Sequence, residues 1–164
     1  MDFDLSDEQR QLKDNLERLM AAEYGFDKRT AYAASPHGWS RELWATYAEL
    51  GLLAVPFAEA DGGIGGGPTE TMIIMEQLGH AMALEPYLAT VVLGGGFLRH
   101  GGSVEQKARL IPGIVSGETT LAFAQQEKQS RYDLADVATT ARRDGNGWVI
   151  DGEKGVVIGG DAAD

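Results

Sequence analysis

One polar run concentrates the residue types that could do chemistry: Gln125-Gln126-Glu127-Lys128-Gln129-Ser130-Arg131-Tyr132-Asp133. It follows the β-like Thr119-Thr120-Leu121-Ala122-Phe123. Loops at strand ends on a rigid sheet are common places for ligand sites. The run therefore reads either as a ligand-facing loop or as a plain surface loop, and composition alone favours the second. Two glycine runs invite a nucleotide reading. In Gly62-Gly63-Ile64-Gly65-Gly66-Gly67, a G-x-G-x-x-G pattern begun at Gly63 needs glycine where Pro68 stands, and one begun at Gly65 needs it at Glu70. Gly94-Gly95-Gly96 puts Arg99 at the sixth position, and neither run carries the phosphate-loop lysine. Flexible loop is the better reading for the first run. His37, His80 and His100 lack metal-ligand spacing and suit solvated or capping roles. There is no nucleophile elbow and no cysteine, so serine-hydrolase, thiol and zinc-finger chemistry have no support. Trp39, Trp44 and Trp148 read as core anchors. The acidic residues read mainly as a solvated face.

These candidates need elements to position them. With 164 residues, 43% of them hydrophobic, the chain can bury one core of ordinary domain size. The net charge of −11 argues against nucleic acid and anionic membrane surfaces as partners. Residues 81–98, the most apolar stretch, are broken by Pro86 and the triple glycine, so no membrane helix is expected. The opening Met1-Asp2-Phe3-Asp4 lacks the basic region of a signal peptide. A cytoplasmic location is expected, and the absence of cysteine fits a reducing compartment.

Ser6-Asp7-Glu8-Gln9 reads as a capping box, followed by Leu12, Leu16, Leu19 and Met20 on one helical face. Ser40 opens a second helix, with Leu43, Trp44, Tyr47 and Leu50 on one side and Gly51 just past its end. Pro68 starts a third, whose Met72, Ile73, Met75, Leu78 and Met82 wrap round it and predict extensive burial. A fourth spans roughly residues 88–100, and Ser103 opens a fifth that ends before Pro112. After Gly117 the pattern turns β-like. Strands are expected at 119–123, 137–141, 148–150 and 155–158, with Asp144-Gly145-Asn146-Gly147 as a hairpin turn. The domain boundary falls near 117: a helical domain over 1–117 and the first strands of a β domain over 118–164. Those strands are too few to form a core alone and need more chain or a partner to cover them.

Several stretches resemble the acyl-CoA dehydrogenase family, in family order and over the whole chain. They are Asp4-Leu5-Ser6-Asp7-Glu8-Gln9; Leu50-Gly51-Leu52-Leu53-Ala54-Val55-Pro56 with Asp61-Gly62-Gly63; the helix over 70–79; Ile111-Pro112 with Gly117-Glu118; and Asp144-Gly145-Asn146-Gly147-Trp148-Val149-Ile150-Asp151-Gly152-Glu153-Lys154. Residues 129–145 resemble the branch known as pimeloyl-CoA dehydrogenase small subunit. The resemblance implies an α+β fold: an orthogonal all-α bundle, then the start of an antiparallel β domain, with the family's C-terminal four-helix bundle outside this stretch. It also implies FAD, oxidation of an acyl-CoA thioester to the 2,3-enoyl-CoA, electron transfer to an electron-transferring flavoprotein, and a homotetramer or a heterotetramer with a large subunit. A non-catalytic small subunit that completes a partner's site is the alternative. The family's catalytic Glu lies in the C-terminal domain, so no catalytic residue is assigned within 1–164. By the resemblance, Phe123, Ala124, Gln125, Gln126, Val156, Val157 and Ile158 contact the flavin, and Arg131 and Tyr132 face the substrate. The family's flavin loop, Thr-Glu-Pro-Gly-Ala-Gly-Ser-Asp, keeps only Glu127 and Asp133 here. The family's Trp-Ile-Thr becomes Val156-Val157-Ile158.

Overall fold

Serine side chains start three of the helices in this computed structural model, which describes residues 4–164. Ser6 accepts from the Gln9 N–H ahead of α1 (Asp7–Glu23), and the Gln9 side chain returns the bond to Ser6. Ser103 caps α6 (Val104–Val115) by the same reciprocal pair with Gln106, whereas Ser40 caps α3 (Arg41–Glu49) only by accepting from the Leu43 N–H. Each cap satisfies an N–H that the helix itself leaves without a partner. The remaining helices are α2 (Phe26–Ala33), a 3-10 turn (Glu59–Asp61), α4 (Pro68–Ala81), a π-helical segment (Leu88–Gly94) and α5 (Gly95–Gly101), which continues directly from it. The acidic Met1–Phe3 opening lies outside the described residues. Among the described residues, no helix is long and apolar enough to cross a membrane.

The core gathers Leu16, Trp44, Tyr47, Leu53, Phe57, Ile73, Ile74, Tyr87, Val91, Ile111 and Ile114, drawn from every long helix. Full burial of one such side chain is worth about 1.5–3 kcal/mol, so this cluster dominates the stability. Near it lies one buried carboxylate. Glu85 accepts from the hydroxyl of Tyr24, from the Ser40 N–H at 3.2 Å and, more weakly, from the Tyr47 hydroxyl at 3.5 Å. Burial, reinforced by this carboxylate, pushes both phenols well above their ordinary range, so they stay neutral donors. The contact ties the end of α1 to the start of α3 and to the turn before the π-helical segment.

Several expectations are corrected. α2 was not foreseen: its N-cap is Gly25, it makes no side-chain cap bond and it buries no residue. Met72 and Met82 are exposed, because α4 buries only the stripe through Ile73, Ile74, Gln77 and Leu78. Leu50 is exposed as well. α6 runs through Pro112 instead of stopping before it. The carbonyl that Pro112 would leave unbonded belongs to Ala108, an exposed residue, where water can serve it. The run 62–67 is a loop, as expected, and it is tied down: Gly63, Ile64, Gly65 and Gly66 donate to the carbonyls of Ala58, Ala54, Phe57 and Val55. With those N–H groups engaged, none remains to cradle a phosphate.

Beyond Gly117 only one sheet forms, of two antiparallel strands, β1 (Thr140–Asp144) and β2 (Gly147–Asp151), joined at the foreseen turn with Asp144 paired to Gly147. The segments 119–123 and 155–158 are not strands but meet in a single antiparallel bridge, Phe123 to Ile158. Trp148 is 67% exposed and anchors no core.

The triple glycine divides by function. A Cβ on Gly94 would lie 2.8 Å from Leu121, and one on Gly95 2.7 Å from the buried Phe57 ring. On Gly96 it would meet only the Arg99 guanidinium, at 3.8 Å. Gly95→Ala should therefore lower stability by about 1–3 kcal/mol through overpacking. Gly96→Ala should raise it by about 0.5–1 kcal/mol through helix propensity. Thermal or denaturant melts of the two variants check this opposite pair of signs.

Candidate functional site

The bridge between Phe123 and Ile158 is the frame of the site. Phe123 N–H donates to the Ile158 carbonyl at 2.9 Å, and Ile158 N–H returns to Phe123 at 3.3 Å. Further along, Gly155 N–H donates to the Gln126 carbonyl at 2.9 Å, and Lys154 Nζ to the Gln125 carbonyl at 3.3 Å. The two flavin-contact segments of the sequence analysis, 123–126 and 156–158, are thus side by side. The helical domain fixes this strip. Buried Thr90 accepts from Leu121 N–H at 3.0 Å and donates to the Leu121 carbonyl at 3.4 Å. Gly159, at φ +76°, approaches so closely that a Cβ would lie 2.5 Å from that of Ala89. Trp44 Nε1 donates to the Gly117 carbonyl at 3.1 Å. Segments of π-helix often sit at functional sites, and this one carries the strip.

Several depressions flank the strip, among them one of about 300 Å³ between Leu121–Ala124 and Gly94, Leu98 and Leu110. At the Gln126 end lies a polar cleft of about 380 Å³, lined by Gln126, Glu127, Gln129, Thr139, Gly155 and Val156 among others. At the Phe123 end lies an open apolar cleft of about 440 Å³, between α5 and Phe123, with Val92, Leu93, Gly96, Phe97 and His100 on its walls. The Phe97 and Phe123 rings lie 5.6 Å apart at 58°. Arg131 and Tyr132 stand in solvent, Tyr132 at 99% exposure, and neither lines these clefts.

Glu127 closes the polar end. It is only 3% exposed and accepts from Lys154 Nζ at 2.5 Å, Gln129 Nε2 at 2.6 Å, Ala138 N–H at 2.7 Å and Thr139 N–H at 3.1 Å. The hydrogen bond from Lys154, followed by those from Thr139 and Gln129, holds its carboxyl well below the usual carboxylate range. This hub was missed in the sequence. The one signal was that Glu127 and the Glu153-Lys154 end of the hairpin both sit in family-like stretches. A carboxylate with four donors on it is a structural clamp and has no lone pair to spare for a base.

The strip also offers unspent donors. Among the described residues, the backbone N–H groups of Ala124, Gln125, Gln126, Val156 and Val157 make no hydrogen bond. Val156 holds φ +49°, a left-handed conformation that costs a β-branched residue about 1–2 kcal/mol. Among the described residues, no group of three or more potential metal ligands occurs.

Comparison with known proteins agrees with this layout. The family "Acyl-CoA dehydrogenase, N-terminal domain" matches residues 6–118. The chain belongs to the acyl-CoA dehydrogenase family. FadE12 of Mycobacterium tuberculosis, an acyl-CoA dehydrogenase, is 37% identical over 142 residues, covering 86% of this chain and 35% of its own. The chain thus spans about a third of the length of that relative. Among solved structures, a chain of the ChsE4–ChsE5 complex from M. tuberculosis superposes with a TM-score of 0.78 at 27% identity, covering 94% of this chain and 39% of that one. An acyl-CoA dehydrogenase complexed with FAD from Bacillus anthracis gives 0.79 at 28% identity, covering 94% and 27%. The helical bundle followed by the start of an antiparallel β region is therefore the N-terminal architecture of this family.

The Glu127 clamp has a defined pH dependence. Its folded-state pKa lies below the ordinary value, so its stabilisation is complete above the ordinary value and is lost as pH falls through the depressed one. Amide exchange at Ala138 and Thr139 should stay slow from neutral pH to below about pH 4. Glu127→Gln should speed it throughout that pH range. Loss of wild-type protection near pH 5, or a variant indistinguishable from wild type, would contradict the clamp.

Proposed function

We propose that this chain is the N-terminal part of an FAD-dependent acyl-CoA dehydrogenase that oxidises an acyl-CoA thioester to the 2,3-enoyl-CoA. The observation that carries the reading is the strip of unspent backbone N–H groups over 124–126 and 156–157, bordered by an apolar cleft. The ring system of a flavin has a polar edge of carbonyls and ring nitrogens, which such donors suit. When bound, FAD supplies the acceptor for the β-hydrogen, which leaves as hydride while the α-proton goes to a base. The donor set fits that group even where the family's aromatic and hydroxyl side chains are replaced by Val156 and Ile158. Ala124, Gln125, Gln126, Val156 and Val157 would hold the polar edge through the backbone. The Gln126 side-chain amide can add a donor or an acceptor. Phe123 and Ile158 keep the two segments in register, and Phe97 with Phe123 excludes water from the acyl side. Glu127 and Lys154 position the loop and move no proton. The base is a Glu outside this stretch, as the family resemblance implies. Electron-transferring flavoprotein is the proposed oxidant of the reduced cofactor.

A second reading has its own support. Val156, Val157 and Ile158 offer no side-chain hydrogen bond, and the ChsE4–ChsE5 neighbour is a complex of two named subunits. On this reading the chain is a small subunit, of the kind its likeness to the pimeloyl-CoA dehydrogenase branch suggests, and completes a partner's site.

Absorption spectra of the purified full-length protein, expressed without a partner, separate the two. Flavin bands at near-stoichiometric amplitude are expected. A colourless protein that gains flavin only when a second subunit is co-expressed would replace the first reading with the second.

A further inference from the structure

Gly96 presents an imbalance between cost and use. It sits in the middle of a continuous helical run, Leu88–Gly94 into Gly95–Gly101, where glycine weakens the helix relative to alanine. Its φ is not among the positive ones, so no backbone conformation requires glycine there. No neighbour requires it either, since an added Cβ would meet one guanidinium nitrogen at ordinary contact distance. Gly94 and Gly95, just before it, are both demanded by close packing. What Gly96 does is line the apolar cleft. Val92, Gly96 and His100 follow one another at four-residue spacing, so Gly96 is the gap in the middle of that wall. The opposite side carries Phe123, with Phe97 beside it and more than half exposed.

We propose that Gly96 sets the width of the acyl cleft and makes it selective for a ring-bearing acyl group over a straight alkyl chain. This rests on the function proposed above and names the substrate class of that same cleft. The gap at Gly96, facing the contacting Phe97–Phe123 ring pair, forms a slot that accepts a flat ring against that pair. A straight chain is thinner and gains little from the missing side chain. A side chain at position 96 would fill the slot where a ring would lie and leave room for an alkyl chain. Phe123 is also the residue bridged to Ile158, so an acyl group in the slot lies next to the strip that would hold the flavin.

The test uses the full-length protein, with any partner subunit it requires, and a ferrocenium salt as electron acceptor. Wild type, Gly96→Ala and Gly96→Leu are compared on 3-phenylpropionyl-CoA and octanoyl-CoA, by kcat/KM and by calorimetric Kd. Wild type should favour the ring-bearing thioester. Gly96→Leu should lose more than about tenfold on it and less than about threefold on octanoyl-CoA, with Gly96→Ala in between. The melting temperature of Gly96→Ala should not fall, which separates a narrowed slot from a damaged fold, and that variant carries the test if Gly96→Leu does not fold. Equal losses on both thioesters, no change on either, or a wild type that prefers octanoyl-CoA would overturn the proposal while leaving the dehydrogenase reading intact. A wild type that carries no flavin and binds neither thioester would remove both.

Discussion

Two backbone hydrogen bonds between Phe123 and Ile158 decide where everything beyond Gly117 can go. They join segments that make no strand of their own. Such a pair would be weak if it stood free, since one bridge offers little against the entropy of closing the chain between its ends. It is held because both partners are pinned from behind. Thr90 spends its hydroxyl on both polar groups of Leu121, and Gly159 fits against Ala89 where no side chain could. The helical domain thus supplies the rigidity and the bridge supplies the register.

The other end of the strip is held electrostatically. Glu127 and Lys154 meet across the gap between the polar loop and the end of the hairpin. Isolated surface ion pairs contribute little, but here the carboxylate is buried and also receives two backbone N–H groups and an amide. Those bonds fix 127, 138 and 154 to one point, which shapes the polar cleft. A strip fixed at both ends, by packing at one and by charge at the other, keeps its unspent N–H groups in place without using them.

How much of this was legible in the sequence depended on how local the signal is. Serine caps, the Asp144–Gly147 turn and the Leu12–Met20 stripe act within a few residues, and each was read correctly. α2 carries no side-chain cap and sets only the half-buried Tyr32 against the core, so it left no apolar stripe to read. The β-like composition at 119–123 and 155–158 was real, but pairing is a property of two segments, and only one bridge forms between them. Pro112 and Trp148 were misread because their tolerance depends on water: Ala108, whose carbonyl the proline leaves without a donor, and Trp148 are both exposed residues. For the site, the resemblance singled out 123–126 and 156–158, which do lie together. It did not reveal that Glu127 and Lys154 clamp them, since opposite charges far apart in sequence pair only once the fold exists.

The replacement of the family's Trp-Ile-Thr by Val156-Val157-Ile158 fits this division of labour. Recognition through a side-chain hydroxyl depends on residue type, whereas recognition through a backbone N–H depends on chain path. The path here is fixed by Gly155 on Gln126 before it and by Ile158 on Phe123 after it. Between those two ties the chain must turn, and Val156 takes the turn in a left-handed conformation that β-branched residues avoid. A cost of about 1–2 kcal/mol persists because the ties on both sides over-determine the turn, and those ties are held by Thr90 on Leu121, Gly159 against Ala89 and the Glu127 clamp. The same ties that impose it also keep the Val156 and Val157 N–H groups out of any internal hydrogen bond. A strip built in this way can change its side chains and keep its donors, provided that the pairs at both ends remain.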